Sequence, residues 1–274
     1  MTVTERSKRV KINGEKKMSV ITETSAQLLE VYETGKPIAP VRDRIHGVRD
    51  AYAVQQASVE FWLKRGRTIA GQKIGLTSKA VQTQLGVDEP DFGVLFADMI
   101  VEDGAEIARG KVLQPRIEGE LAFVLKSDLK GERLSAEEVI KATDYVSPAI
   151  EICGSRIAGW DIRIADTISD NASAGLVALG KTRVKPVLDE LPRVPMTVRH
   201  GGETVAEGRG EACLGNPAIA VAWLGEMLTR FGSGLRAGDV VMSGALAKMV
   251  AAEPGSSFVA DFGNLGSVRV SFGR

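Results

Sequence analysis

Cysteine and histidine are almost missing from this chain: two of each in 274 residues. Two cysteines, Cys153 and Cys213, cannot build a disulfide framework and suit a reducing cytosol. With only His46 and His200 available, and no G-x-S-x-G string, serine-hydrolase triads and histidine- or thiolate-based zinc sites lose their raw material. Net charge is absent as well, since 35 Lys and Arg balance 35 Asp and Glu. No long-range attraction to nucleic acid or to an anionic membrane follows from such a balance. Nor does any run approach the roughly 18 apolar residues of a membrane span. The opening "MTVTERSKRVKINGEKKMSV" is basic and polar, without the apolar stretch of a secretory signal. Its composition predicts a disordered tail over residues 1–17, with Met18 as an alternative start, and a cytoplasmic location.

What is present is 44% hydrophobic and 26% charged residues, enough for a sizeable core. "SAQLLEVYETGK" and "VRDAYAVQQASVEFWLKRG" carry apolar residues at three- and four-residue spacing and end near glycine, which predicts a small helical unit over 18–70. "KPIAPVRDRIHG" between them reads as a loop, with His46 at its end. Beyond Thr68 come short strand-like runs: "TIAGQKIGL", "GELAFVL", "DVVMSGAL", "SSFVADFG" and "GSVRVSF". They do not alternate regularly with helices. The expected class is therefore α+β, with a mixed, curled sheet filling a domain over 71–274. Two helices interrupt it: "SAEEVIKATDYV", opened by a capping box of Ser135 and Glu138, and "NPAIAVAWLGEMLTRFG". "GLVALGKT" (175–182) matches a phosphate-loop string, but the four residues between its glycines are Leu, Val, Ala and Leu. The prolines that follow do not open an amphipathic helix, so it reads as a strand and a turn.

The informative chemistry is acidic. In "IEGELAFVL", Glu118 and Glu120 head an apolar run; in a strand, residues two apart share a face. Glu151 sits in a second apolar run, "VSPAIEICGSRI". Buried and unpaired, each carboxylate would cost several kcal/mol or take up a proton. Cations such as Arg116 could relieve them, or a metal ion could. Three carboxylates without imidazole or thiolate make a hard, all-oxygen donor set that suits Mg²⁺ or Mn²⁺. They exceed the charge of a divalent ion by one, which leaves work for a nearby cation. Cys153, two residues past Glu151, reads as a buried free thiol.

"GQKIGLTSKAVQTQLGVDEPDFGVLFADM", "LQPRIEGELAFVL", "PAIEICGSRIAGWDIRIADTISDNASAG" and "GEACLGNPAIAVAWL" together resemble the fumarylacetoacetate hydrolase superfamily, in particular its 2-hydroxypenta-2,4-dienoate (2-keto-4-pentenoate) hydratase branch. The likeness runs from about Ile21 to the C-terminus. It implies a fold of the fumarylacetoacetate-hydrolase C-terminal type and a divalent metal held by Glu118, Glu120 and Glu151. It also implies an active-site lysine in "GQKIGLTS", Lys73, and an acid in "PDFG", Asp91. The implied reaction is addition of water to a 2-oxo or 2-hydroxy dienoate in meta-cleavage catabolism of aromatic compounds. Thr77, Ser78, Ser173 and Ser243, at strand or loop ends, are candidate substrate-binding hydroxyls, with plain turn chemistry as the alternative. Lys73, near a cation and away from water, is expected to deprotonate easily. A homo-oligomer is implied, and a complex with a homologous decarboxylase is a further option. The 4-oxalocrotonate decarboxylase branch shares the metal motif, as do hydratases of longer or diacid 2-oxo-enoates; Asp91 favours hydration. Hydrolases of the superfamily tend to use a histidine–acid pair, and neither His46 nor His200 lies in a matching string.

Overall fold

A computed structural model describes the backbone of residues 3–87 and 89–274, and side chains from Lys17 onward except at 88. In chain order the elements are α1 (Val3–Thr34), α2 (Val48–Lys64), β1 (Ile69–Gly75), α3 (Lys79–Leu85), β2 (Asp91–Phe96), β3 (Ile100–Glu102), β4 (Glu106–Ile107) and β5 (Arg116–Leu125). Then follow α4 (Ala136–Ala142), β6 (Thr143–Cys153), α5 (Ile164–Ser169), β7 (Leu176–Leu179), β8 (Pro195–His200), β9 (Glu203–Arg209) and α6 (Pro217–Arg230). The chain closes with β10 (Val240–Met242), β11 (Val250–Ala251), β12 (Ser257–Asp261) and β13 (Ser267–Phe272). α1 begins inside the segment 1–17 for which composition predicts a tail; residues 1 and 2, and the side chains up to 16, lie outside the described residues.

The expected α+β class holds. An eight-stranded mixed sheet runs β2-β1-β10-β5-β6-β7-β3, with β11 also pairing β5. β1 and β10 are parallel, as are β3 and β7; the other pairs in this sheet are antiparallel. A second sheet that the sequence reading did not separate, β4-β13-β12-β8-β9, lies behind it. The long hairpin of β5 and β6 is the spine. On its rear face Ile117, Leu121, Phe123, Ile150 and Ile152 are all fully buried. There Met196 of β8 fills the space beside Gly119. Burial of such side chains contributes about 1.5–3 kcal/mol each. The front face carries the acids.

Local signals place the helices. Ser135 Oγ accepts the Glu138 amide at 3.2 Å, and Glu138 Oε2 accepts the Ser135 amide at 2.8 Å, so the capping box forms as expected. That helix stops at Ala142, and "TDYV" instead opens β6, as its β-branched and aromatic residues favour. Asn216 caps α6 through the Ala218 amide. "GLVALGKT" contains β7 followed by a turn, with no helix starting directly after Thr182. Among the described residues, no helix is long and apolar enough to cross a membrane.

The N-terminal helices join the sheet domain through a buried acid. Asp166 Oδ1 accepts the Val41 and Arg42 amides at 2.7 and 2.9 Å, and Oδ2 accepts the Arg163 amide and Arg42 Nη1, both at 2.9 Å. On the other side, Gln55 of α2 donates to the carbonyls of Phe92 and Ile168, and Tyr52 stacks on Phe92 with centroids 4.4 Å apart. Removing the Asp166 carboxylate strands three amides and takes one partner from the Arg42 guanidinium, which keeps its bonds to Asp161. Asp166→Ala should therefore lower stability by roughly 3 kcal/mol, read as a shifted denaturant midpoint with an unchanged slope.

Candidate active site

β-sheet register gathers the acids. Glu118 of β5 lies directly opposite Glu151 of β6, and Glu120 opposite Ala149. Like charges directly opposite each other destabilise a sheet, so this pairing needs compensation. On the same face, register carries across from Ala122 of β5 to Met242 of β10 and on to Lys73 of β1. Lys73 in turn faces Gly93 of β2, and Gly75 faces Asp91. Residues drawn from sequence positions 73 to 151 thus meet on one sheet face. Lys73, Asp91, Glu118, Glu120 and Glu151 are all buried, none more than 5% exposed.

Their partners are few. Lys73 Nζ donates to the Ala172 carbonyl at 2.9 Å and stands 3.2 Å from Glu151 Oε1. The latter is an ion-pair contact off the line of a hydrogen bond, so both Glu151 oxygens lack a hydrogen-bond partner among the described residues. Glu120 Oε2 accepts the Gly244 amide at 2.8 Å, whereas its Oε1 has no partner. Glu118 Oε2 faces the Cys153 thiol at 3.4 Å. Arg116, the cation that could have neutralised the pair, lies instead over the Trp160 ring, 4.5 Å from its centroid.

Electrostatics follow from this crowding. Burial, then Glu151, push Glu118 up to about 7 despite Lys73. Burial, with Glu151 and Glu118 adding to it, holds Glu120 well above the usual carboxylate range. Burial raises Asp91 too, opposed by Lys73 and by the Thr167 hydroxyl. Lys73 is pulled in two directions. Burial favours its neutral form, but Glu151, Cys153, Asp91 and Glu118 outweigh that and hold the ammonium well above its usual range. The bare acids thus oppose burial at the lysine, and a cation held by those acids would weaken that opposition.

The donor set suits a hard cation. Glu118, Glu151 and Cys153 bring one donor atom each within 4.8 Å of one another. Burial raises the Cys153 thiol strongly, which keeps it an S–H and a poor ligand for an oxygen-seeking ion. Glu120 lies outside that tight trio, tied to Gly244, with its free Oε1 buried. Orphaned carboxylate oxygens on Glu120 and Glu151 are what a cation would satisfy. The residues present therefore fit a divalent ion.

The Asp91 side is equally bare. Asp91 Oδ2 accepts from Thr167 Oγ1 at 2.8 Å, and Oδ1 is buried without a partner. Gly75 makes room for it: a Cβ there would come 2.1 Å from Asp91 Oδ1 and 3.2 Å from Lys73 Nζ. Of the four predicted hydroxyls, those of Thr77, Ser173 and Ser243 are buried and unpartnered. Ser78 differs: its Oγ caps α3 by accepting the Val81 amide at 3.2 Å, the turn role that stood as the alternative. Gly244, at φ 105, leaves space for Thr77, whose Oγ1 would lie 2.0 Å from a Cβ.

Three contributors escaped the sequence reading: Thr167, the Ala172 carbonyl and the Gly244 amide. Asn171, Ala172 and Ser173 run consecutively through left-handed φ values of 53°, 50° and 53°. Left-handed non-glycine residues cost roughly 1–3 kcal/mol each and collect at functional sites. Nothing in "SDNAS" beyond an asparagine signals such a turn. His46 and His200 are both exposed and away from the acids.

Residues 63–272 match the family model described as fumarylacetoacetate (FAA) hydrolase C-terminal. The chain is 47% identical over 252 residues to a 2-keto-4-pentenoate hydratase of Paraburkholderia xenovorans (strain LB400), covering 91% of this chain and 94% of the relative. It is 40% identical over 255 residues to a 2-hydroxyhexa-2,4-dienoate hydratase of Comamonas testosteroni, at 91% and 97% coverage. Among solved structures, the 4-oxalocrotonate decarboxylase of Pseudomonas putida G7, complexed with magnesium and adipate, superposes with a TM-score of 0.86 at 30% identity. That superposition covers 92% of this chain and 97% of the decarboxylase. On both sequence and fold, the chain belongs to the fumarylacetoacetate hydrolase family.

Proposed function

We propose that this protein is a divalent-metal-dependent hydro-lyase that adds water to 2-hydroxypenta-2,4-dienoate, giving 4-hydroxy-2-oxopentanoate. The observation that carries this reading is the meeting of three carboxylates, with unsatisfied oxygens on Glu120 and Glu151, and Lys73 and Asp91 on one buried face. The hydratase names of relatives at 40–47% identity agree with it. Glu118, Glu120 and Glu151 would hold Mg²⁺ or Mn²⁺. When bound, such an ion supplies Lewis-acid withdrawal of electrons from a 2-oxo acid. In the same reading the enzyme is cytoplasmic and homo-oligomeric, works in aromatic catabolism, and is able to associate with a homologous decarboxylase.

The chain's own groups account for the proton transfers. Ketonisation of the dienol takes the proton of the C2 hydroxyl and delivers one to C5; hydration then takes a proton from the water whose oxygen bonds to C4 and delivers one to C3. Asp91 suits both tasks, because burial lifts its affinity for protons while Thr167 fixes Oδ2 and leaves Oδ1 free. Lys73 serves as a fixed ammonium, anchored by the Ala172 carbonyl, that donates a hydrogen bond and keeps Asp91 from becoming too basic. Thr77, Ser173 and Ser243 offer three hydroxyls to the substrate or to the attacking water. Ser78 is withdrawn from that role by its cap.

Three outcomes test the reading. Glu120→Gln should keep the Gly244 contact and the fold while losing more than about 100-fold in metal affinity and hydration, by calorimetry and product analysis. Asp91→Asn should slow hydration by about 10²–10⁴ with magnesium affinity unchanged; a selective loss of CO₂ release from 4-oxalocrotonate would favour decarboxylation instead. Because Glu118 and Glu120 are pushed up, a cation must displace protons from them. Magnesium affinity should therefore rise between pH 6 and 8, on either side of about 7 for Glu118, and calorimetry in buffers of different ionisation enthalpy should register proton release.

A further inference from the structure

One cation on the acidic face remains without an acid. Arg116 opens β5, and alternation puts its side chain on the same face as Glu118 and Glu120. Its register partner is Cys153, two residues beyond Glu151. The guanidinium is half-buried, stacked on Trp160, and no carboxylate lies within ion-pair distance of it among the described residues. Glu118 is the carboxylate whose charge reaches it.

Arg116 also lines a cavity of about 310 Å³, with Val112, Gln114, Pro115, Trp160 and Ala252. The wall beside it is held rigidly. Gln114 and Trp160 both take left-handed φ values, 50° and 57°. Gln114 Nε2 donates to the Ser155 and Ile157 carbonyls at 2.9 and 2.7 Å, its Oε1 accepts the Gly159 amide, and Trp160 Nε1 donates to the Gln114 carbonyl at 2.9 Å. The indole is thereby fixed, and with it the platform under the guanidinium.

Charge supplies the reason. Lys73 faces four buried acids, Asp91, Glu118, Glu120 and Glu151. With all four acids ionised, a divalent ion would still leave that set one positive charge short of neutrality, before any anionic substrate arrives. A carboxylate entering such a site needs a further cation, and an arginine fork matches carboxylate geometry. We propose that Arg116, on the same strand face as Glu118 and Glu120, is the substrate-recognition residue that takes the carboxylate of a small 2-oxo acid. The inference rests on the 2-oxo-acid reading above and adds the residue that selects for an anion.

The test is calorimetric titration of the magnesium-loaded full chain with 2-oxopentanoate, a saturated acid that cannot be hydrated. The proteins are the unaltered chain, Arg116→Gln and Arg116→Lys, with magnesium affinity and dienoate kinetics measured alongside. Arg116→Gln should weaken 2-oxopentanoate binding about tenfold or more and raise KM for the dienoate with little change in kcat. Arg116→Lys should recover much of the binding, and magnesium affinity should stay within about twofold throughout. Unchanged binding in Arg116→Gln overturns the proposal. So does an Arg116→Lys variant as weak as Arg116→Gln, because packing on Trp160 would then be the cause rather than charge. Arginine-dependent binding without turnover of the dienoate would sink the proposed reaction and leave this inference standing. Normal turnover with no effect at Arg116 would do the reverse.

Discussion

Glu118 opposite Glu151 is the constraint around which the rest of the molecule is arranged. Two carboxylates in register across an antiparallel pair, fully enclosed, repel each other and have lost their hydration. A β-sheet holds them there because everything behind it is apolar and tightly packed. The rear face of β5 and β6 is filled by the second sheet, so the hairpin cannot rotate its acids outward without exposing Ile117, Leu121 and Ile150. Hydrophobic burial on one face fixes an electrostatically unfavourable arrangement on the other.

That arrangement explains details that otherwise look unrelated. The acids around Lys73 favour its ammonium form, against the burial that disfavours it. The strained turn at Asn171–Ser173 is tolerated because its carbonyls are used twice, at Lys73 Nζ from Ala172 and at the Gly154 amide from Ser173. Asn171 anchors the same turn by bonding both the amide and the carbonyl of Val94. The loop between β10 and β11 interrupts pairing along β5, and the interruption lets the Gly244 amide reach Glu120. Local cost at each point is repaired by a long-range contact.

Much of this was legible in the residues, and what was not has a physical cause. Alternation within "IEGELAFVL" sets a common face for Glu118 and Glu120, and the apolar run around Glu151 marks a second strand. Pairing of those two strands, however, depends on register, which no local signal encodes. The same limit hid Thr167, which meets Asp91 across 76 positions, and Gly244, which meets Glu120 across 124. Capping was readable because it is local: Ser135 with Glu138 spans three residues. Ser78 follows the same logic, since a serine just ahead of a helical stretch is drawn to its own backbone before any ligand.

The second sheet was missed for a related reason. "SSFVADFG" and "GSVRVSF" alternate cleanly, and alternation states only that one face is buried, not against what. Their partner β8 begins with "PMTVRH", where a leading proline marks a strand start that is easily taken for loop. Separating the two sheets gives each a distinct duty. The rear layer supplies packing that makes the front layer rigid, while the front layer keeps unpartnered oxygens at Asp91, Glu120 and Glu151. Unsatisfied groups of that kind survive in a folded protein only where burial energy from elsewhere exceeds their cost. A candidate site of this design is stable because the unsatisfied acids and the packing occupy opposite faces of the same two strands.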